Sequence, residues 1–113
     1  MSDLSDYSAK FVLMVTSKAE LLHIIKLNQS NIEKFGVARL ALFGSFVRDQ
    51  AKKESDVDFF VEFQPGKKTY KNFIGLVFFL ESTLGRKVEV LTDKSLSPYL
   101  RTSILNSLEY VSV

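Results

Sequence analysis

Apolar and polar positions along the chain alternate in two ways, one typical of short strands and one typical of helices. Short apolar runs bounded by polar residues or glycine predict strands at 37–43, 56–63 and 87–91. Segments in which apolar residues recur on one helical face predict helices at 17–35, 69–84 and 97–108, with a short helix at 46–52. The last residues, 110–113, are predicted to add an edge strand or to pack as a tail.

Residues that stop and start helices mark the same boundaries. Gly36 and Gly85 follow the first and third predicted helices, where a glycine ends a helix easily. Ser97 before Pro98 is the usual pair at the start of a helix, with the serine as N-cap and the proline as first helical residue. Polar residues at 28–31 weaken the first helix, so we expect it to bend or break there.

The order of the elements predicts an α+β domain, in which a small mixed sheet is backed by helices in two layers. The connections are too short for a large parallel sheet. The 113 residues suffice for one domain with its own core, so we expect 1–113 to form a single domain. Residues 1–15 are expected to form an N-terminal extension that is poorly ordered at its polar start.

Composition and charge argue against several classes of protein. The net charge is only +2, too small to indicate nucleic-acid binding by bulk electrostatics. The chain has no cysteine, which rules out disulfides and thiol catalysis and suits the cytoplasm. It has no apolar run of the roughly 18 residues that a membrane span requires. We therefore expect a cytoplasmic protein without membrane contact.

Two carboxylates stand at the start of the second predicted strand. Asp56 and Asp58 are two residues apart, so a strand would place them on one face, roughly 6 to 7 Å apart. Val57 and the alternating apolar residues after it would then face a core. Carboxylates held so close repel each other unless a cation lies between them, and magnesium prefers such oxygen ligands. An acidic pair at the start of a strand is also often a simple solvated turn.

A Gly44-Ser45 turn stands ten residues before this acidic pair, at the end of the first strand. Gly44 allows a ligand to approach the backbone closely, and a turn into a helix directs backbone N–H groups at an anion. Ser45 adds a hydroxyl, and Arg48 lies about one helical turn later, where its guanidinium is suited to an anion. The residues therefore indicate a phosphate-binding turn beside a metal site.

The run LALFGSFVRDQAKKESDVDFFVEF at 40–63 resembles the signature of the DNA polymerase beta-like nucleotidyltransferases. It is most similar to the minimal nucleotidyltransferase subgroup, which is often encoded as the antitoxin beside a HEPN-domain toxin. The resemblance extends from about residue 17 to the C-terminus and includes LGRKVEVLT at 84–92. It implies a polymerase beta-like palm that uses two Mg²⁺ ions and ATP as substrate.

The resemblance also implies a role for each matching residue. Gly44 and Ser45 would hold the triphosphate, with Arg48 as a helper. Asp56 and Asp58 would bind the metal ions and take part in catalysis. The third catalytic, metal-binding carboxylate would be Glu89, placed to orient and deprotonate an acceptor hydroxyl. The family more often has Asp at that position, so we expect Glu89 to change the geometry of the metal site and to affect activity.

The resemblance implies that the chain transfers AMP from ATP to a tyrosine of a cognate HEPN toxin. A second hypothesis is a non-catalytic antitoxin that neutralises its partner by occlusion and keeps a vestigial nucleotide site. A third is transfer to a small molecule within a homodimer. The helix residues 73–80 are apolar on almost every face, which favours a protein interface there, either with a partner or in a homo-oligomer.

Overall fold

The computed structural model of the chain describes residues 15–48, 52 and 55–111. The α-helices are α1 (Lys18–Leu27), α2 (Gln29–Glu33), α3 (Tyr70–Leu84) and α4 (Pro98–Ser107). The strands are β1 (Val37–Phe43), β2 (Val57–Phe63), β3 (Val88–Leu91) and β4 (Glu109–Val111). Short 3-10 helices follow two of the strands, at Gly44–Phe46 and Asp93–Ser95.

Local side-chain chemistry sets the helix ends where the sequence predicted them. The Thr69 hydroxyl accepts a hydrogen bond from the Asn72 N–H at 3.1 Å and caps α3, and Gly85 ends that helix at φ +67°. The expected break in the first helix lies at Asn28, between α1 and α2. The Asn28 side-chain amide donates to the Ile24 carbonyl at 2.8 Å, and the Asn28 main-chain N–H is shared between the carbonyls of Ile24 and Ile25 at 3.2 and 3.0 Å.

Two predicted boundaries near the acidic pair differ from the structure. The helix expected at 46–52 is wrong for the residues described there, because Gly44–Phe46 is a 3-10 helix and Val47 and Arg48 continue as a turn. The Val47 N–H bonds the Gly44 carbonyl at 3.2 Å, a three-residue spacing that is tighter than in an α-helix. Residues 49–51, 53 and 54 lie outside the described part of the chain. Strand β2 starts one residue later than predicted, so Asp56 precedes it.

The four strands form one mixed sheet in the order β3-β2-β1-β4. Strand β1 is antiparallel to both β2 and β4, whereas β2 and β3 are parallel and are connected through α3. Of the two alternatives expected for 110–113, the edge strand is confirmed for the described residues, because β4 at Glu109–Val111 pairs with β1, while residues 112 and 113 lie outside the described part. The α+β class and the small mixed sheet are confirmed as well.

Apolar side chains cover both faces of this sheet, but unequally. Val57, Phe59 and Val61 of β2 are buried with residues of α1, α2 and α3, which confirms the core face predicted from their alternation. The opposite face carries a smaller cluster that α4 covers, built around buried Ala41, Phe60 and Leu96. Because Asp58 lies between Val57 and Phe59, its side chain belongs to the face of the smaller cluster.

The last residue of α3 and Val15, the first residue described, meet in the larger core. Val15 is fully buried, and its N–H bonds the Leu84 carbonyl at 2.9 Å. The last residue of the expected N-terminal extension thus belongs to the core, while residues 1–14 lie outside the described part. Helix α3 buries Leu76, Leu80 and Leu84, and Phe78 on its outer face is 65% exposed.

Among the residues described, the helices are all too short or too polar to cross a membrane.

Candidate functional site

The turn after β1 lies in direct contact with an acid of β2. Gly44 has φ +78°, in the left-handed region that side chains disfavour. A Cβ placed on Gly44 would lie 2.2 Å from Asp58 Oδ2, far inside the contact limit. Glycine is therefore required here both by the backbone conformation and by the neighbouring carboxylate. The close approach brings the Gly44-Ser45 turn beside the strand that carries Asp58.

Asp58 and Glu89 lie side by side on adjacent strands. In the sheet, Asp58 of β2 is paired with Phe43 of β1 on one side and with Glu89 of β3 on the other. Because β2 and β3 run parallel in this register, the two acidic side chains share a face. Asp58 is partly buried and Glu89 is exposed. The structure therefore brings together two acids that are thirty-one residues apart in the sequence.

Burial and the neighbouring acids change the pKa of the Asp58 carboxyl. Burial, followed by the charges of Glu89 and Asp56 and a hydrogen bond with the Glu89 side chain, together raise the pKa of Asp58 to about 6. Each of these causes disfavours the ionised form of Asp58. A cation bound between the acids would reverse the effect of the neighbouring charges, which is the behaviour expected of a metal or metal–nucleotide site.

The other two predicted site residues lie at the margin of this group. Asp56 is exposed and precedes β2, close enough for its charge to raise the pKa of Asp58. Arg48 is exposed in the turn that follows the 3-10 helix, and not on the α-helix that was predicted for it. Within the described residues, no group of three or more His, Cys, Asp or Glu side chains is already assembled as a set of metal ligands. The effect of Asp56 that the described structure gives is its charge, which raises the pKa of Asp58.

A cleft of about 360 Å³ lies at the opposite end of β2 and β3, away from Asp58 and Glu89. The residues that line it come from the end of β2, the turn after it and the segment after β3: Val61, Glu62, Phe63, Gln64, Pro65, Gly66, Lys68, Thr92, Asp93 and Lys94. None of the predicted site residues is among them. The acidic site is therefore separate from this cleft.

One charged residue next to the site was not singled out from the sequence. Arg86 is only 8% exposed, and its guanidinium carbon lies 5.2 Å from the centre of the Phe46 ring. Nothing in the sequence distinguishes Arg86 from the neighbouring Lys87, because both are single basic residues between a helix stop and a strand. The burial of Arg86 is a property of the tertiary structure.

Comparison with known proteins shows the family to which this chain belongs. The family model for the nucleotidyltransferase domain matches residues 24–111, which include every predicted site residue. Protein adenylyltransferase MntA of Thermococcus cleftensis is 39% identical over 79 residues, which cover 70% of this chain and 79% of that protein. The chain belongs to the nucleotidyltransferase family and is an enzyme of that class.

Similar solved structures indicate which type of nucleotidyltransferase this chain is. A candidate minimal nucleotidyltransferase is similar with a TM-score of 0.72 and 29% identity, covering 82% of this chain and 94% of the other. A toxin–antitoxin complex crystallised with AMP-PNP contains a chain of TM-score 0.59 and 25% identity, covering 77% of this chain and 68% of the other. The present chain is thus of the minimal nucleotidyltransferase type.

Proposed function

We propose that this enzyme transfers AMP from ATP to a hydroxyl group of a partner protein, a tyrosine of a cognate HEPN toxin. The observation that carries the proposal is the contact of Gly44 with Asp58, which in turn is paired with Glu89 across the sheet. A phosphate-binding turn and two acids thereby adjoin one another. The similarity to a protein adenylyltransferase and to a toxin–antitoxin complex with AMP-PNP supports the choice of donor and acceptor.

The residues of the site fit magnesium. Carboxylate oxygens are the ligands this ion prefers, and a cation between the acids would oppose the effect of the neighbouring charges that helps to raise the pKa of Asp58. In our proposal Asp58 and Glu89 hold the metal ions, two by analogy with the family, and Asp56 joins them from its exposed position. When bound, magnesium neutralises the negative charge that develops on the phosphate oxygens during transfer.

The residues of the chain then bind and orient the reacting groups. The Gly44-Ser45 turn holds the triphosphate, with the Ser45 hydroxyl and Arg48 as donors. The tyrosyl oxygen attacks the α-phosphorus of ATP, and a bond forms between these two atoms. The bond from the α-phosphorus to the oxygen bridging to the β-phosphate breaks, and pyrophosphate leaves. Glu89, which is exposed, accepts the tyrosyl proton as general base.

Binding of the nucleotide is the first step to test. We would titrate ATP calorimetrically into the parent protein with magnesium and again with EDTA, and repeat both titrations with Asp56→Asn and Asp58→Asn. Glu62→Gln is the matched control, because Glu62 also lies on β2 but pairs with Arg39 at 2.7 Å. We expect binding that requires magnesium, is lost in both Asn variants and is kept in the control. Equal binding by all four proteins would refute the assignment of the site.

The transfer itself is tested with the partner toxin and ATP labelled at either the α- or the γ-phosphorus. AMP transfer puts the α-label on the toxin and leaves the γ-label in pyrophosphate, whereas phosphorylation gives the opposite result. We expect α-label on a toxin tyrosine with the parent and none with Asp58→Asn. If Asp58→Asn neutralises the toxin as well as the parent does, neutralisation occurs by occlusion and the proposed transfer is not its cause.

A further inference from the structure

Arg86 contacts three other segments of the chain through its guanidinium. Its Nε donates to the Val15 carbonyl, and its Nη1 donates to the carbonyls of Lys52 at 3.0 Å and Ser55 at 2.6 Å. All three acceptors are main-chain oxygens. None of the ion pairs between described residues involves Arg86, and its hydrogen-bond partners there are main-chain carbonyls, whose dipoles stabilise the buried cation.

The same guanidinium packs against Phe46. The Phe46 ring is fully buried, and the Arg86 guanidinium carbon lies 5.2 Å from its centre, within cation–π range. Phe46 directly follows Ser45, and Ser55 directly precedes Asp56. Arg86 therefore contacts both ends of the connection between the phosphate-binding turn and the acidic pair.

Additional hydrogen bonds hold the end of the connection that leads into Asp56. The Lys52 N–H bonds the Ser55 hydroxyl at 2.9 Å, and the Ser55 N–H bonds the Lys52 carbonyl at 3.0 Å. The Val57 N–H bonds the Lys87 carbonyl at 3.0 Å. Together with the hydrogen bond from Arg86 to the Ser55 carbonyl, it attaches the chain on both sides of Asp56 to residues 86 and 87. Asp56 is exposed and lies outside β2, so these neighbours are what fixes its main chain.

We propose that Arg86 is a positioning residue that fixes Ser45 and Asp56 relative to each other before the nucleotide binds. This inference rests on the nucleotide site proposed above. Arginine suits the role because its planar guanidinium offers donors in fixed directions while its face packs on an aromatic ring. Lysine has one rotatable ammonium group and cannot reach three carbonyls and a ring in this way.

The test compares Arg86→Met with Arg101→Met, a matched control at an exposed arginine that pairs with Asp93 at 2.5 Å. Without nucleotide, we expect the backbone amide NMR signals of both Ser45 and Asp56 to shift in Arg86→Met and to stay unchanged in the control. With ATP, we expect the magnesium concentration for half-saturation to rise by about 10- to 100-fold, as for other residues that orient metal ligands. Added guanidinium, well below denaturing concentrations, should restore part of this loss.

A merely structural role would give a different result. Arg86→Met would then unfold at a lower temperature, but in the folded sample the Ser45 signal and the magnesium dependence would match the parent. That result would overturn the proposal. If Arg86→Met does not fold, Arg86→Lys keeps the charge and provides the same comparison. The amide signals are measured without nucleotide, so a parent that fails to bind ATP refutes the nucleotide site and leaves this test intact.

Discussion

Gly44 and Asp58 touch across the β1–β2 pair, although they are fourteen positions apart in the sequence. A Cβ on Gly44 would lie 2.2 Å from Asp58 Oδ2 and 3.2 Å from Asp58 Cγ. The turn that is proposed to hold phosphate and the acid that is proposed to hold metal therefore cannot move independently. Any side chain larger than that of glycine at position 44 must displace one or the other.

Gly44→Ala should reduce both stability and transfer. The left-handed backbone at φ +78° costs an L-residue roughly 1–2 kcal/mol, and displacement of Asp58 adds to that cost. A shift of about 1 Å in a catalytic group is enough to lower the transfer rate by about 100-fold. Urea unfolding and the labelled-ATP assay measure the two effects.

Gly66→Ala is the control for backbone strain at Gly44. Gly66 has a similar φ of +75°, but a Cβ there would have no atom within 4 Å. We expect the free energy of unfolding of Gly66→Ala to be lower by roughly 1–2 kcal/mol because of backbone strain alone, and its transfer rate to equal that of the parent. Equal stability and equal activity of the two alanine variants would show that the contact with Asp58 has no consequence.

Asp58→Asn should alter how stability depends on pH when no metal is present. The pKa of Asp58 is about 6 in the folded protein, whereas its ordinary value is 3.8, so the folded state binds more protons between these pH values. The free energy of unfolding of the parent therefore falls as pH rises from about 4 to 6. Asp58→Asn lacks this loss and should be more stable than the parent above pH 6.

Solvent screens a partly exposed group and reduces the effect. We therefore expect the free energy of unfolding of Asp58→Asn to exceed that of the parent by about 1–2 kcal/mol at pH 8 and by almost nothing near pH 3. Urea unfolding in EDTA at both pH values gives the comparison. Glu33→Gln, at an exposed position on α2, is the control and should follow the parent. A constant difference between Asp58→Asn and the parent at all pH values would contradict the raised pKa.

Glu89 should control both the pKa of Asp58 and the transfer reaction. Glu89→Gln removes the strongest charge effect on Asp58, so its carboxyl pKa should fall towards the ordinary value, which carbon NMR of the Asp58 carboxyl follows. We expect transfer to drop by about 10- to 100-fold. Glu89→Asp keeps the charge on a shorter side chain and should retain measurable transfer. A Glu89→Gln variant as active as the parent would exclude Glu89 as a functional acid.

Phe78 is the residue on α3 that a homo-oligomer through residues 73–80 would use. It is 65% exposed, while Leu76 and Leu80 on the same helix are fully buried. Phe78→Gln should weaken self-association in sedimentation equilibrium and change stability by no more than about 0.5 kcal/mol. Tyr99→Gln, at a side chain that is 94% exposed on α4, is the control. A parent that is monomeric at every concentration would refute an interface between copies at this helix.

The sequence by itself determined the local elements and the candidate chemistry. Alternation in β2 identified the core face, and the residues at the ends of α3 and α4 fixed those boundaries because caps are local interactions. The spacing of the Gly44-Ser45 turn from Asp56 and Asp58 indicated candidate site residues without reference to any contact. Those roles stay predictions, whereas the family itself is shown by the match over residues 24–111.

Only the tertiary structure decided how these residues meet. The parallel register that pairs Asp58 with Glu89 depends on the crossover through α3, and a strand carries no local record of its register with a distant strand. The burial of Arg86 against Phe46 and main-chain carbonyls likewise needs four segments that the sequence does not show together. At 46–48, the described start of the helix expected at 46–52, the chain instead forms a 3-10 helix and a turn, in which Phe46 is fully buried and Gly44 lies against Asp58.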